Sequence, residues 1–564
     1  MRTILLIILL ASTCIGQDRF SLVNGAVTPK AIDFNLSDYQ AFVKDVKTAP
    51  TPTNAIDLAI SDLATVDEFQ RPFLRYVWVP DGDMAKVGQV SFAVNTAISH
   101  SSNIVIPSVV QGGKLVRWDL RLLAPITSDL TRLITLWEKL ADEPYFHVKP
   151  ALPLNAVVIA SATGDPTGSK RFRIGDQLFF QAVTGDIFLF YNNAWKKQDI
   201  PAFGSHTNLQ SAVILQGLTQ SNAPIVRYDW FIVKILSAVD GGLYYDFINV
   251  ERNPRGKSAQ DAWLESLGVS EKAIQSLKSD QRSAIFRSNV TGRPRRIDLF
   301  QGSYVRPSAG SGLITITHDI GEGDLGTDKD PIRNLLDFKD KAREVIAERP
   351  NGLHIFLLFD GNGGLQNSAP DDIVRDHTIP SPHPARVQPA IGCIRCHGPF
   401  EGVQPFANDV QTMLKSRLDI FGDLSSKQST PDVLDRLAGL YTGDFQKPIR
   451  RMRDDYSDAG FMASGGQSIP VVSAGISKIY GEYFYDTVSA EKACAELGFI
   501  VPKSKSVDYL KILLPPLPRD ITGIIPEDPI IGALKSGLAV NRFQWELVYG
   551  DAAFRVQQSL RSKK

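Results

Sequence analysis

The alternation of apolar and polar positions, broken by Gly, Pro and Asn, lays out the elements of this chain. Residues 28–150 mix helical and strand periods. Pro50 to Pro52 interrupts an early helical stretch, and Gln111-Gly112-Gly113-Lys114 predicts a hairpin turn between the apolar runs 104–110 and 115–120. From 151 to 250 short apolar runs such as 156–160 and 187–191 predict strands. Helical spacing returns over 261–278, and 353–359 reads as a strand entering a tight turn at Asp360-Gly361-Asn362-Gly363. Strand structure is expected up to about residue 375.

The stretch Ile379-Pro380-Ser381-Pro382-His383-Pro384 stiffens the backbone and removes amide donors, which predicts a domain boundary. Beyond it the pattern is helical. Helices are expected over 408–418, after Thr430 as N-cap with Pro431 at the first helical position, over 490–497 behind Ser489, and over 542–560. The expected class is α+β: a signal segment over 1–16, a mixed region over 17–150, a strand-rich region over 151–378 and an all-α, cytochrome-c-like domain over 385–564. No repeat of 20–50 residues suggests a solenoid or propeller.

Composition sharpens this picture in two respects. At 564 residues the chain exceeds one core, and 43% apolar with 22% charged residues is ordinary globular usage. Equal numbers of basic and acidic residues, 61 each, leave no global field to recruit nucleic acid or an anionic membrane surface, so neither is expected as a partner.

The first residues read as an address. Met1-Arg2-Thr3 followed by an apolar run from Ile4 to Ala11 predicts a secretory signal peptide cleaved after Gly16, which would remove Cys14. Lipid anchoring through Cys14 is the weaker reading because Ala11 and Thr13 suit that signal poorly. The 12 residues from Ile4 to Ile15 are too few to span a bilayer, and no later stretch reaches that length, so a periplasmic or extracellular chain without a transmembrane helix is expected.

Cys393-Ile394-Arg395-Cys396-His397 carries the most specific chemistry. The spacing is that of c-type haem attachment: two thiols add to the vinyl groups and the next imidazole ligates the iron. On one helical turn the two sulfurs fall on the same side and the imidazole points toward the porphyrin centre. Gly392 and Gly398 bracket the motif and are expected to let the backbone lie close to the ring. With 4 Cys and 8 His in the chain, random placement would give such a pentad with a frequency of about 4 in 10,000. Haem c and its iron are therefore the expected cofactors, with Cys393 and Cys396 as attachment points and His397 as the metal ligand.

Three rivals use the same residues. A zinc site lacks a second cysteine pair, and the nearest histidines, His377 and His383, lie in or beside the proline-rich segment. A dithiol redox site lacks the preceding strand of a thioredoxin-like unit, and a disulfide across so short a loop would stabilise little. At the iron's second axial position, a thioether would raise the potential, an imidazole would lower it, and an open site would admit ligands. Met462, in the expected loop Phe461-Met462-Ala463-Ser464-Gly465-Gly466, is the leading thioether, whereas Met413 and Met452 fall on expected helices.

From these residues the chain resembles a family of exported, mono-haem cytochrome-c-domain proteins of planctomycete-type bacteria. The likeness covers most of the mature chain and is strongest at Pro350-Asn351-Gly352-Leu353, Ala369-Pro370, Ile373-Val374-Arg375-Asp376 and the pentad. Weaker matches are Leu74-Arg75-Tyr76, 115–121, Asp229-Trp230-Phe231, 495–498 and 541–546. The chain departs from the family pattern at Ala342-Arg343-Glu344-Val345, where a glycine-rich acidic run would be expected. The resemblance implies haem binding and electron transfer with a redox partner protein, and supplies no substrate. The alternative is a haem enzyme of peroxidase type, or a haem-based sensor or binding protein, with an open iron; electron transfer is the favoured role over catalysis.

Other conspicuous residues have plainer readings. His318, Asp319, Glu322, Asp324, Asp328 and Asp330 miss the EF-hand spacing and read as a solvated acidic loop. The basic run Lys447 to Arg453 reads as a solvated helix face, Cys494 as a buried small residue, and Trp118, Trp137, Trp230 and Trp545 as core anchors.

Overall fold

The computed structural model describes residues 45–146, 157–161, 170–174, 177–181, 187–191, 194–198, 209–239, 241–269, 282–288, 291–302, 312–327, 329–334, 338–377, 379, 385–406, 408–416, 439–441, 445–485, 487–515 and 527–561. The expected signal segment with Cys14, Pro380 to Pro384 and the Thr430-Pro431 helix start lie outside the described residues. Helices and antiparallel sheets both occur, so the fold is α+β.

The chain forms two compact units, and each is assembled from separated segments. One comprises 1–72, 140–226 and 484–564; the other comprises 73–139 and 227–483. These differ from the divisions expected from sequence. The proline-rich stretch is not a boundary, because the backbone on its two sides is joined: Ala369 donates to the Val387 carbonyl at 2.9 Å and Asp376 to that of Ala385 at 2.9 Å. Leu358, Ala369 and Val387 share one small core cluster.

In the first unit, Thr51 caps the helix Pro52–Ala64 by accepting from Asn54, and Pro52 occupies the first helical position, where no amide donor is needed. That helix packs on Leu209–Thr219. Five strands between Val157 and Gln198 pair in sequence order as an antiparallel meander. The C-terminal helices include Ala490–Glu496, capped by Ser489, and Arg542–Arg561. Glu496 joins them: its carboxylate accepts from Arg542 at 2.6 Å, from the Trp545 indole at 2.6 Å and from the Tyr145 hydroxyl. Cys494 is fully buried, as its setting between two alanines predicts.

The second unit begins with strand β1 (Leu74–Trp78), helix α1 (Met84–Ala97), and the hairpin of β2 (Ser108–Val110) and β3 (Leu115–Asp119). Val110 pairs with Leu115 across Gln111–Gly113, the turn expected from sequence, and β1 pairs with β3. Helices α2 (Tyr228–Leu236) and α3 (Tyr244–Phe247) follow. A five-stranded antiparallel sheet then runs in sequence order: β4 (Arg282–Ile285), β5 (Arg295–Gln301), β6 (Leu313–Asp319), β7 (Ala342–Glu348) and β8 (His354–Asp360). Strand β8 is an edge, and its outward amides are covered rather than exposed. The Phe356 amide donates to the Tyr244 hydroxyl at 2.9 Å and that of Leu358 to the Tyr245 hydroxyl at 3.4 Å, which blocks a further strand from pairing there.

Among the described residues, four α-helices lie between the sheet and residue 485: α4 (Ile391–His397), a helix over Asp409–Ser416, α5 (Gln446–Ala463) and α6 (Ile469–Tyr485). The expected all-α domain over 385–564 is therefore not a separate body. Residues up to 483 share the unit that contains the five-stranded sheet, and those from 484 belong to the other unit. Helix α4, with seven residues, gains its stability from tertiary contact rather than intrinsic propensity; the sheet supplies part of that contact through Glu344 and Phe356, and α6 supplies part through Ser473.

Candidate functional site

Because side chains alternate across a strand, register decides which of them meet α4. Glu344 pairs with Leu358, Ile346 with Phe356 and Glu348 with His354, which places all six on one face. Thr317 pairs with Glu344, and Asp319 two residues on shares that face. The opposite face carries Arg296, His318 and Arg343, paired in a row across three strands.

The pentad occupies α4, and His397 turns toward the first of these faces. His397 Nε2 lies 3.2 Å from Glu344 Oε1, and the imidazole stacks on Phe356 with ring centroids 6.1 Å apart. Burial by itself would raise the Glu344 carboxyl, but the charge and hydrogen bond of His397, with Arg295 nearby, hold it down at about 2. Arg295 reaches this row through Asp319, at 2.6 Å.

Both motif cysteines are free thiols, Cys393 buried and Cys396 exposed. Burial, then the charges of Glu344 and Cys396, push Cys393 well above its ordinary value. Cys396, at the surface but closely flanked, is pushed up to about 11 by desolvation first and then by Asp376 and Glu344. A reactive dithiol requires the thiolate at neutral pH, so these surroundings oppose the redox-dithiol reading.

Two backbone features hold α4 in place. Ala390, just before it, has φ 57° and ψ −77°, a conformation that a residue with a Cβ rarely adopts. Gly398, just after it, permits a close approach to α6: a Cβ there would lie 2.3 Å from Ser473 Cβ, and the Ser473 hydroxyl donates to the Ile394 carbonyl at 2.8 Å. A Cβ at Gly392 would lie 3.2 Å from Val387 Cγ1. Both glycines therefore allow α4 to pack closely against neighbouring protein. Arg395 points away from Glu344, pairing with Asp376 at 2.8 Å and lying over the Tyr480 ring.

The expected thioether is not in a loop. Met462 lies in the last turn of α5 and is 52% exposed. Met452 on the same helix is fully buried against β8, its carbonyl accepting from His354 Nε2 at 3.3 Å. The ten-position separation of these methionines corresponds to about 15 Å of helix and a different face, which separates Met462 from the contact that α5 makes with the sheet. Met413 lies on the helix Asp409–Ser416.

Sequence reasoning missed Glu344, His354, Phe356 and Tyr456. His354 is fully buried and stacks on Tyr456 at 4.0 Å, with the rings 8° from parallel. Burial first, and the charge of His397 with it, lower His354 to about 3 against the opposing effect of the Met452 carbonyl. A histidine at an inward position of an otherwise apolar strand, two residues before Phe356, was the available signal.

The acidic residues after β6 serve local structure. Asp324 accepts from the Gly321 amide at 3.1 Å and Asp330 from those of Gly326 and Ile332, each at 2.9 Å. His318 and Asp319 lie within β6 itself, and His318 contacts Asp298 at 3.1 Å and Asp340 at 2.8 Å. Asp328 lies outside the described residues. Among the described residues no cluster of His, Cys, Asp and Glu is arranged to hold a metal ion, and no helix is long and apolar enough to cross a membrane.

Comparison of the chain with protein-family models, curated proteins and solved structures found no match.

As a donor set, the residues present suit a covalent haem. Two unpaired thiols and an imidazole share one helical turn, and a second, buried imidazole nearby has a nitrogen without a hydrogen-bond partner, His354 Nδ1. The Glu344 carboxylate stands at the nitrogen that His397 would offer, so the contact between them must open for His397 to act as a ligand.

Proposed function

We propose that this protein is an exported c-type cytochrome that carries one covalent haem and passes single electrons to a partner protein. Cys393 and Cys396 would hold the porphyrin and His397 would ligate the iron. When bound, the haem supplies a reversible one-electron couple. The observation that carries the reading is the placement of both free thiols and the imidazole on the turn formed by α4. The raised thiols support it against a dithiol enzyme, because they disfavour thiolate at neutral pH.

The chain's own residues would contribute position and electrostatics. Gly398 and Ser473 fix the end of α4, Arg395 and Asp376 anchor its outer side, and Phe356 provides an aromatic wall beside His397. The haem-bearing element would thus be a helix laid on a β-sheet, with α5 and α6 as neighbours, rather than a free-standing helical capsule. Export is part of the proposal, since covalent haem attachment in bacteria takes place outside the cytoplasm.

The test is intact-mass measurement and haem staining of protein produced in a host competent for cytochrome c maturation. The expected result is the mass of one haem, retained after denaturation and absent from the Cys393→Ser/Cys396→Ser variant. Wild-type protein without the added macrocycle would overturn the reading.

A further inference from the structure

The tautomer of His354 follows from its surroundings. The Met452 carbonyl can only accept, so His354 Nε2 carries the proton and Nδ1 presents a bare lone pair. That Nδ1 is buried and has no hydrogen-bond partner, a state that ordinarily destabilises a core. Stacking on Tyr456 fixes the plane of the ring. An imidazole held through N–H to a main-chain carbonyl, with its other nitrogen neutral and free, is the arrangement found in metal-ligating histidines.

The edge of the ring that carries Nδ1 also lies against the segment that follows the attachment motif. Gly402, five residues past His397, donates its amide to the His397 carbonyl at 3.0 Å. A Cβ at Gly402 would lie 3.1 Å from His354 Cε1 and 3.4 Å from Nδ1, at φ +102°, so the segment after the attachment motif lies directly against this nitrogen. Phe356 stands beside both histidines, with ring centroids 6.2 Å from His354 and 6.1 Å from His397.

We propose that His354, through Nδ1, is the second axial ligand of the iron, which makes the site bis-imidazole in place of the histidine–methionine pair suggested by the sequence. This rests on the haem reading above. The orphaned nitrogen thereby gains a partner. Two imidazoles stabilise the ferric state more than an imidazole and a thioether do, which gives a lower reduction potential.

The experiment uses the full chain from a maturation-competent host, with haem content established first by intact mass. Electron paramagnetic resonance of the oxidised wild type and carbon monoxide binding to the reduced form are then measured. Low-spin bis-imidazole signals and slow carbon monoxide binding are expected. In His354→Ala, haem mass should be retained, the low-spin signature lost, carbon monoxide binding made rapid, and the signature restored by added imidazole. Should that variant fail to fold, the wild-type spectra still decide. A high-spin ferric signal with rapid carbon monoxide binding, or a thioether-to-iron charge-transfer band, in haem-loaded wild type would overturn the assignment. Absence of haem from the wild type would instead overturn the reading on which it rests.

Discussion

Gly398→Ala tests whether α4 is held by close approach to α6. The residue has φ −58° and ψ −42°, so alanine suits its backbone and, judged by propensity alone, would stabilise by about 0.5–1 kcal/mol. The packing argues the reverse. The new methyl would lie 2.3 Å from Ser473 Cβ and 2.4 Å from Oγ, so α6 or the Ser473 side chain must shift. Overpacking of this kind costs about 1–3 kcal/mol. Loss of the Ser473 to Ile394 hydrogen bond adds about 1 kcal/mol. The net expectation is a destabilisation of about 1–3 kcal/mol, read as a lower urea midpoint by tryptophan fluorescence. Combining Gly398→Ala with Ser473→Gly should recover the steric part, giving a coupling energy above about 0.5 kcal/mol in the double-mutant cycle. A Gly398→Ala protein as stable as wild type, or additivity in the cycle, would show that α4 and α6 do not approach this closely.

Three further outcomes follow from the same geometry. Asp298, Asp340 and Glu344 are all held below the ordinary carboxylate range, the first two by the arginines and His318 around them outweighing burial and Glu344, at about 2, chiefly by His397. Their stabilisation is therefore complete above the unfolded values near ~4 and lost as pH falls through the folded ones; burial-raised Asp319 works in the opposite sense. The urea midpoint should hold level from neutral pH down to pH ~5 and fall steadily below that toward pH ~2, and a profile that stays flat below pH ~4 would contradict these ion pairs. In haem-free protein, Cys396 should alkylate slowly at neutral pH and Cys393 only on unfolding, followed by mass spectrometry; rapid labelling of both would mean that the thiols are neither raised nor buried as found. Met462→Ala should change stability by less than about 0.5 kcal/mol and leave the spectrum of haem-loaded protein unaltered, since the side chain is exposed at the end of α5; loss of a thioether band would restore it as a ligand.

Local signals in the sequence were sufficient wherever neighbouring residues decide the outcome. The Gly112-Gly113 turn, the strand ending at Asp360, the Ser489 cap and the last helix from Arg542 are written in spacing and turn chemistry, because hydrophobic period and capping act over a few residues. The pentad was equally legible, since its two sulfurs and imidazole need only one helical turn to share a face.

Tertiary structure decided what lies opposite them. Glu344 carries no local signal of its role, and only the register of β7 with β8 places it on the same face as His354 and Phe356 and against His397. Gly398 could be seen as small, but the reason for it is Ser473, 75 residues away. The units join segments separated by scores of residues, so the proline-rich stretch, a sound local argument for a boundary, was overridden by backbone pairing across it. The physical reason is common to all three: periodicity fixes which face of an element is apolar, whereas long-range pairing selects the partner which that face meets.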